Sequence, residues 1–552
     1  MKKIVLSIIL LVAMLLSGCS NIEISDPYLN VAISANVISL NVPEISDEIS
    51  GNVIAELVEG LMKMDENGMP IPGIAESYEL SDDQKTYIFH IRKDAKWSNG
   101  FDVTASDFVY TYQKIVGGNY SYTSFLADAA HLKNASKIIY GDEKGDKWDC
   151  STLGVSAIDD KTLKIELDVP VPYFLTLLSF SAMLPLPQKY LETIPEELFG
   201  TSPDYFVSNG PFVLEDYIPG TCCIKLKKNE LYYDASNVEL PGINFRVITS
   251  RDVMLQAYEA GSLDVINLDS NTLEIVNNDP DLQKALLYRT TGSLTFISIN
   301  FSDKSGNLAL RNSNFRNAIA HSFDRSFLLD QILADGSAAA YRVIPGKFSF
   351  NLENGEDFSE DQQKFIEYTK YDPELARKYI KLACEELNTD HFDISVTGSN
   401  SSSTKKLLEA FAELVESTLP EVKININIVA SGELYNLLQQ HNFEMGLSGW
   451  NPDYPDPLTF FNLWYKNSSF DYGMWENKEY DDLIYNCSTG EYISDYNLRW
   501  NKLMEAEELI LKDQAIIPLF QRVSPTMISP KVKNIVFHTC NAPDYSRAVK
   551  ER

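Results

Sequence analysis

FDISVTGSNSSSTKKLLEAFAELVESTLPEVKININIV, residues 392–429, is the stretch that decides the fold class. Phe392, Ile394 and Val396 alternate with polar residues, as a strand with one apolar face requires. Leu407, Leu408, Phe411, Leu414 and Val415 then fall at i, i+1, i+4, i+7 and i+8, the stripe of an amphipathic helix. Ile424, Ile426 and Ile428 alternate again. Strand, helix, strand is the unit of a parallel sheet covered by helices, because parallel neighbours need a long crossover. The serine-rich residues 399–403 read as the loop before the helix.

Reading onward, Phe443, Met445 and Leu447 share one face of a further strand that runs into Ser448-Gly449-Trp450. Ligands of open α/β sheets gather beyond the carboxyl ends of strands, so topology alone puts a candidate site at Trp450 and the residues after it. Reading back, Asp372-Pro373 supplies a cap and a first-turn proline for a helix. Residues 86–92 are rich in aromatic and β-branched types and predict a strand. Thr104 and Asp107 form a capping box before Phe108. Residues 163–167 alternate as a half-buried strand.

The whole chain has 552 residues, enough for three or four units of about 150 residues each. Hydrophobic residues make up 44% and aromatics 11%, too apolar for a disordered chain. A net charge of −31 repels phosphate backbones and anionic lipid heads, which excludes a nucleic-acid partner and electrostatic docking on a membrane. No Gly-rich phosphate loop is present. The six histidines never stand at metal-ligand spacing, so neither a metal nor a cofactor is expected. Cys150, Cys222, Cys223, Cys384, Cys487 and Cys540 match no disulfide framework or zinc pattern. Cys222 and Cys223 read as small apolar residues of a strand continuing through Ile224 and Leu226.

The N-terminus carries its own signal. Lys2 and Lys3 precede an apolar run over residues 4–16, followed by Leu16-Ser17-Gly18-Cys19. The run is too short for a permanent span and right for a signal-peptide core. Its end resembles the bacterial lipobox, which implies a signal peptide at 1–18 and acylation, such as palmitate, at Cys19. The other reading is a plain secretory peptide with an incidental cysteine. No later run reaches the ~20 apolar residues of a membrane span, and residues 170–187 are broken by prolines. The expected body is soluble and lipid-anchored at the outer face of the cell membrane.

Residues 59–110 hold Glu59-Gly60-Leu61-Met62, Asp65-Glu66-Asn67-Gly68, Pro72-Gly73-Ile74-Ala75-Glu76-Ser77-Tyr78, Phe89-His90-Ile91-Arg92 and Lys96-Trp97-Ser98-Asn99-Gly100, then Val103 to Tyr110. Farther on come Asn209-Gly210-Pro211-Phe212, Gly261-Ser262-Leu263-Asp264-Val265, Phe315-Arg316-Asn317-Ala318-Ile319-Ala320 and Ile516-Ile517-Pro518-Leu519-Phe520. The fullest is Gly449-Trp450-Asn451-Pro452-Asp453-Tyr454-Pro455-Asp456-Pro457. In number and order these resemble the oligopeptide-binding proteins of bacterial ABC importers, the peptide/nickel class of solute-binding proteins. The resemblance implies a periplasmic-binding-protein-like bilobed α/β fold with an additional inserted domain and a hinge between lobes. Mapped here, lobe I takes 19–69, 201–295 and 522–552, the insert 70–200, and lobe II 296–521. The implied partners are an oligopeptide ligand and the permease subunits of a transporter, with the protein itself a monomer.

Site residues follow from the same resemblance. Asp453 is implied to hold the peptide's ammonium; by itself it equally suits capping a turn among Pro452, Pro455 and Pro457. Trp450 is implied as a cleft wall, with core packing the other reading. The backbone of Gly449 to Asn451 is implied to pair with an extended ligand, and Tyr454 stands in the same motif. Tyr122, Asn300, Ser46, Asp47 and Glu48 map near ligand contacts of the family, where packing is the competing reading. Some relatives carry an arginine where Leu447 stands and use it for the ligand's carboxylate. Leu447 therefore implies longer peptides or the reading of an internal side chain. No Gly-x-Ser-x-Gly elbow or His-Glu-x-x-His motif supports a hydrolase, so an enzyme is not expected. The same fold holding an oligosaccharide or metal chelate is the alternative.

Overall fold

The alternating and helical patterns of residues 392–429 fold as two strands with a helix between them. In the computed structural model, which describes residues 27–551 except 361, 467, 469 and 541, the large sheet contains ten strands along one path. In chain order they are β1 (Leu29–Ile33), β2 (Phe212–Asp216), β3 (Cys223–Lys228), β4 (Gly242–Val247), β5 (Val265–Asn267), β6 (Leu286–Ile299), β7 (Phe392–Ser399), β8 (Val422–Val429), β9 (Met445–Trp450) and β10 (Ile516–Ile528). Their spatial order is β8-β7-β9-β6-β10-β5-β1-β4-β3-β2, and Ala338–Ala339 adds an eleventh strand against β10. Residues 1–18 and Cys19 lie outside the described residues.

Five helices bear on the site and the cores that support it: α1 (Glu48–Leu57), α2 (Ala105–Gly117), α3 (Pro373–Leu387), α4 (Ser402–Thr418) and α5 (Tyr496–Lys512). Their starts are written in the sequence. The Ser401 hydroxyl accepts the N–H of Thr404 at the head of α4, and Asp372 accepts that of Leu375 at the head of α3. At α2 the Asp107 carboxylate accepts the Thr104 N–H at 2.8 Å and the Trp97 indole N–H at 3.1 Å. Leu407, Leu408, Phe411 and Val415 of α4 are buried against Ile394, Val396 and Ile424.

β7 and β8 are parallel over their full length, from Phe392 opposite Val422 to Ser399 opposite Val429. The sheet as a whole is mixed, which corrects the parallel expectation. β6 runs antiparallel to both β9 and β10, and β5 antiparallel to β10. β6 and β10 are long, 14 and 13 residues, and join β8-β7-β9 to the strands of the other lobe. Their pairing slips between Thr290 and Leu294 and again between Thr295 and Phe296. Such irregularities bend and twist a strand locally.

A separate antiparallel sheet is formed by Ala75–Leu80, Thr86–Ile91, Thr162–Glu166 and Val155–Asp159, in that spatial order. Phe108, Tyr112 and Ile115 of α2 and Phe89, Leu163 and Ile165 of this sheet are buried in one core. That core continues without a break into Tyr454, Trp464 and Trp500. A different core gathers around Leu29, Val53, Phe212 and Phe245. Cys223 opens β3 half-buried, but Cys222 is exposed and precedes the strand, so it is not the buried apolar residue expected. Among the described residues no helix is long and apolar enough to cross a membrane.

Candidate functional site

The backbone of β9 is paired on one side along its whole length. Leu294 to Ile299 of β6 stand opposite Trp450 to Met445. On the other side β7 pairs only with Met445 and Gly446. The edge of Leu447, Ser448, Gly449 and Trp450 is therefore unpaired among the described residues. Gly449 is exposed there, and a Cβ on it would come within 3.0 Å of the Leu294 carbonyl oxygen. Pro452, which has no N–H to give a ladder, follows two residues beyond the end of the strand.

The loop after β9 is fixed at both ends, which leaves Asp453 between the anchors. At one end the Trp450 indole N–H donates to the Thr459 hydroxyl at 3.1 Å, and the Asp453 N–H donates to the same oxygen at 3.3 Å. At the other, Asp456 takes two hydrogen bonds from Arg499 of α5, at 2.9 and 2.7 Å, with both side chains buried. The Asp456 carboxylate also accepts the Leu458 N–H at 3.0 Å. The Asp453 carboxylate accepts no hydrogen bond and meets no cation among the described residues. Its side chain is open to water, yet the protein surrounding it strips enough solvent to raise its carboxyl above the usual range.

Two other parts of the chain converge on this carboxylate. Tyr122 is half-buried, with its ring edge-on to Phe180 at 5.0 Å. Its hydroxyl is pushed up by burial first and then by the charges of Asp453 and Asp47, so it stands within electrostatic reach of both. Asp47 caps α1 through one oxygen, which accepts the Ser50 N–H at 2.9 Å; its other oxygen is buried without a partner. Ser46 and Glu48, on either side, are exposed. Cys540 also approaches Asp453, and burial, with that charge, pushes its thiol up to about 12.

Beside the free edge lies a cavity of about 370 Å³. Leu447, Trp450, Trp464 and Phe470 give it apolar walls, and Thr295 and Arg522 lie on its β6–β10 side. The Trp450 ring meets Phe470 edge-on at 5.0 Å. Arg522 is exposed and donates from Nε to the Thr295 hydroxyl at 3.4 Å.

The structure thus sets Gly449, Trp450, Asn451 and Asp453 along one strand end and its loop, with Tyr122 within electrostatic reach of Asp453 and Asp47; Ser46 and Glu48 are exposed on either side of Asp47. Asn451 is exposed and accepts the Ser293 hydroxyl hydrogen from across β6. Two expected residues are not available to a ligand. Tyr454 is buried, its ring stacked on Tyr173 at 4.8 Å, because it pins the loop to the segment around the smaller sheet. Asn300 is wholly buried; its amide donates to the His441 and Phe443 carbonyls and accepts the Ser302 N–H. Cys540 and Arg522 were missed. Arg522 has no local pattern to mark it, since only the β6–β10 pairing carries it to the cavity. Among the described residues no cluster of three or more His, Cys, Asp or Glu is arranged to hold a metal ion.

Comparison with known proteins agrees with this architecture. A dipeptide-binding protein of Lactococcus lactis subsp. cremoris is 28% identical over 546 residues, 97% of this chain and 96% of its own. The substrate-binding domain of an oligopeptide ABC transporter from Bacillus anthracis superimposes with a TM-score of 0.71 at 30% identity, covering 96% of this chain and 99% of its own. Listeria monocytogenes OppA bound to peptide gives 0.69 at 27% identity, with 96% and 99% covered. Residues 69–472 match the family described as "Bacterial extracellular solute-binding proteins, family 5 Middle". With most of its length inside that match, the chain belongs to the bacterial extracellular solute-binding proteins of family 5.

Proposed function

We propose that the protein captures oligopeptides between its lobes and delivers them to the permease of an ABC importer. The observation that carries this reading is the Asp453 carboxylate, unpaired and partly desolvated though open to water, just beyond the end of an unpaired strand edge. An ammonium is the group such a carboxylate lacks, and a charge-assisted bond of this kind contributes about 1.5–3 kcal/mol. Every unblocked peptide carries that ammonium. The edge of Leu447 to Trp450 offers main-chain hydrogen bonds that any extended peptide accepts. Trp450 adds a broad apolar wall without demanding one side chain. The dipeptide- and oligopeptide-binding relatives support the same reading.

In this reading 19–69, 201–295 and 522–552 form lobe I, 70–200 the insert, and 296–521 lobe II. The proposed boundaries at 295/296 and 521/522 fall inside β6 and β10, beside their register slips, where a bend moves one lobe against the other. Cys19 carries the lipid that holds the protein, as a monomer, at the outer face of the cell membrane.

Native mass spectrometry of protein purified without denaturation tests the ligand class. The wild type is expected to carry a mixture of peptides, and Asp453→Ala to carry few or none. By calorimetric titration the variant is expected to bind a free-amine peptide at least tenfold more weakly. Only the ionised carboxylate holds an ammonium, so wild-type affinity falls as pH drops through the raised Asp453 pKa. An empty wild type, or a sugar or chelate retained by Asp453→Ala, sinks the peptide reading.

A further inference from the structure

The geometry points to a second anchor: we propose that Arg522, in the cavity beside β9, receives a carboxylate of the bound peptide. The inference rests on the reading that the ligand is a peptide. The carboxylate is either the C-terminus or an acidic side chain, and both present the same planar pair of oxygens to a guanidinium fork.

Among the described residues Arg522 is the one charged residue lining the cavity. The rest of that lining is apolar or hydroxyl-bearing, with Thr295, Ser399 and Ser448 among the hydroxyls. A lone cation in such a wall matches a lone anion. The chain has 78 acidic against 47 basic residues, so acidic partners are abundant. Three buried arginines have taken them: Arg342 pairs with Glu507, Arg499 with Asp456 and Arg316 with Asp513, while the buried Arg325 is held by the Pro518 and Thr369 carbonyls. Arg522 pairs with no carboxylate among the described residues, and its side chain is held only by the long bond to Thr295.

Its backbone is fixed while its head is free. Arg522 stands where β10 faces the slipped segment between Thr290 and Leu294. Its carbonyl accepts the Thr291 hydroxyl at 2.9 Å, and the neighbouring Gln521 amide donates to the Thr291 and Gly346 carbonyls. The cavity shares Leu447 and Trp450 with the free edge of β9. A peptide held by its ammonium at Asp453 and laid along that edge passes the mouth of the cavity. Leu447 brings no charge there, and Arg522 does.

The test uses synthetic hexapeptide pools randomised over neutral residues and titrated calorimetrically into the protein. One pool has a free C-terminus, a second is amidated, and a third is amidated and contains one Glu. Arg522→Gln is expected to weaken the carboxylate-bearing pool about tenfold and leave the neutral amidated pool unchanged. Loss confined to the first pool assigns Arg522 to the C-terminus; loss in the third assigns it to an acidic side chain. Arg522→Lys, which keeps the charge without the fork, is expected to recover part of the loss. Asp453→Ala should weaken all pools alike, since all carry the amine. If the wild type binds every pool and Arg522→Gln does not distinguish them, this proposal falls alone. If the wild type binds no pool, the peptide reading falls and takes this proposal with it.

Discussion

Asp471 sits next to Phe470, in the wall of the cavity, and is 7% exposed. Burial pushes its carboxyl up to about 7; the Met474 N–H it accepts at 2.9 Å pulls the other way, and Asp481 and Glu476 add to the rise. Between the ordinary carboxylate range and about pH 7 the folded state holds a proton there that the unfolded state has released. This contribution to stability is whole below the unfolded pKa and is lost as pH rises through the folded one. Urea unfolding of the wild type should weaken between about pH 4 and pH 7 relative to Asp471→Asn, which keeps an acceptor and cannot titrate. Wild type and variant running parallel over that window would refute the raised carboxyl. Asp453 and Trp450 were legible because they stand in one dense motif. Arg522 was not, because its importance lies in what distant segments bring beside it.

At the scale of elements, the loop after β9 depends on α5 through Arg499 and Asp456. Both partners are buried, so removing one strands a charge out of water. Arg499→Met should destabilise the protein by about 3–5 kcal/mol, read as a lower urea midpoint. Replacing both, Arg499→Met with Asp456→Leu, should cost less than the single change, since no buried charge is left over. A double variant weaker than the single one would overturn that account. α3, α4, β7 and β8 could be read from residues alone, because the strands alternate and the helices begin at caps. The mixed order of the sheet could not. The pairing of β6 with β9 and β10 joins residues far apart in the chain, and nothing local in Leu294 or Phe296 marks its partner.

For the whole molecule, the arrangement of cores decides how it comes apart. The core under the smaller sheet runs unbroken from Phe89, Trp97 and Phe108 to Trp464 and Trp500. The core around Leu29, Val53 and Phe245 is a different one. The Trp97 and Trp464 environments should therefore be lost in a single transition, followed by fluorescence of variants that retain one or the other. Two separate midpoints would show that the segment around the smaller sheet folds as a unit of its own. The sequence expectation of an insert at 70–200 does not by itself disclose this sharing, because burial across a boundary depends on which faces meet.

The free edge of β9 has one more consequence. An unpaired strand ordinarily invites any other chain to add to it, including a neighbouring copy. Here it borders the cavity walled by Trp450 and Phe470, so a chain added along Leu447 to Trp450 also meets apolar rings. A loose segment arrives with its N–H and C=O groups unspent and has them to give to this edge, whereas a strand inside a folded sheet has already spent one or both sides on its neighbours.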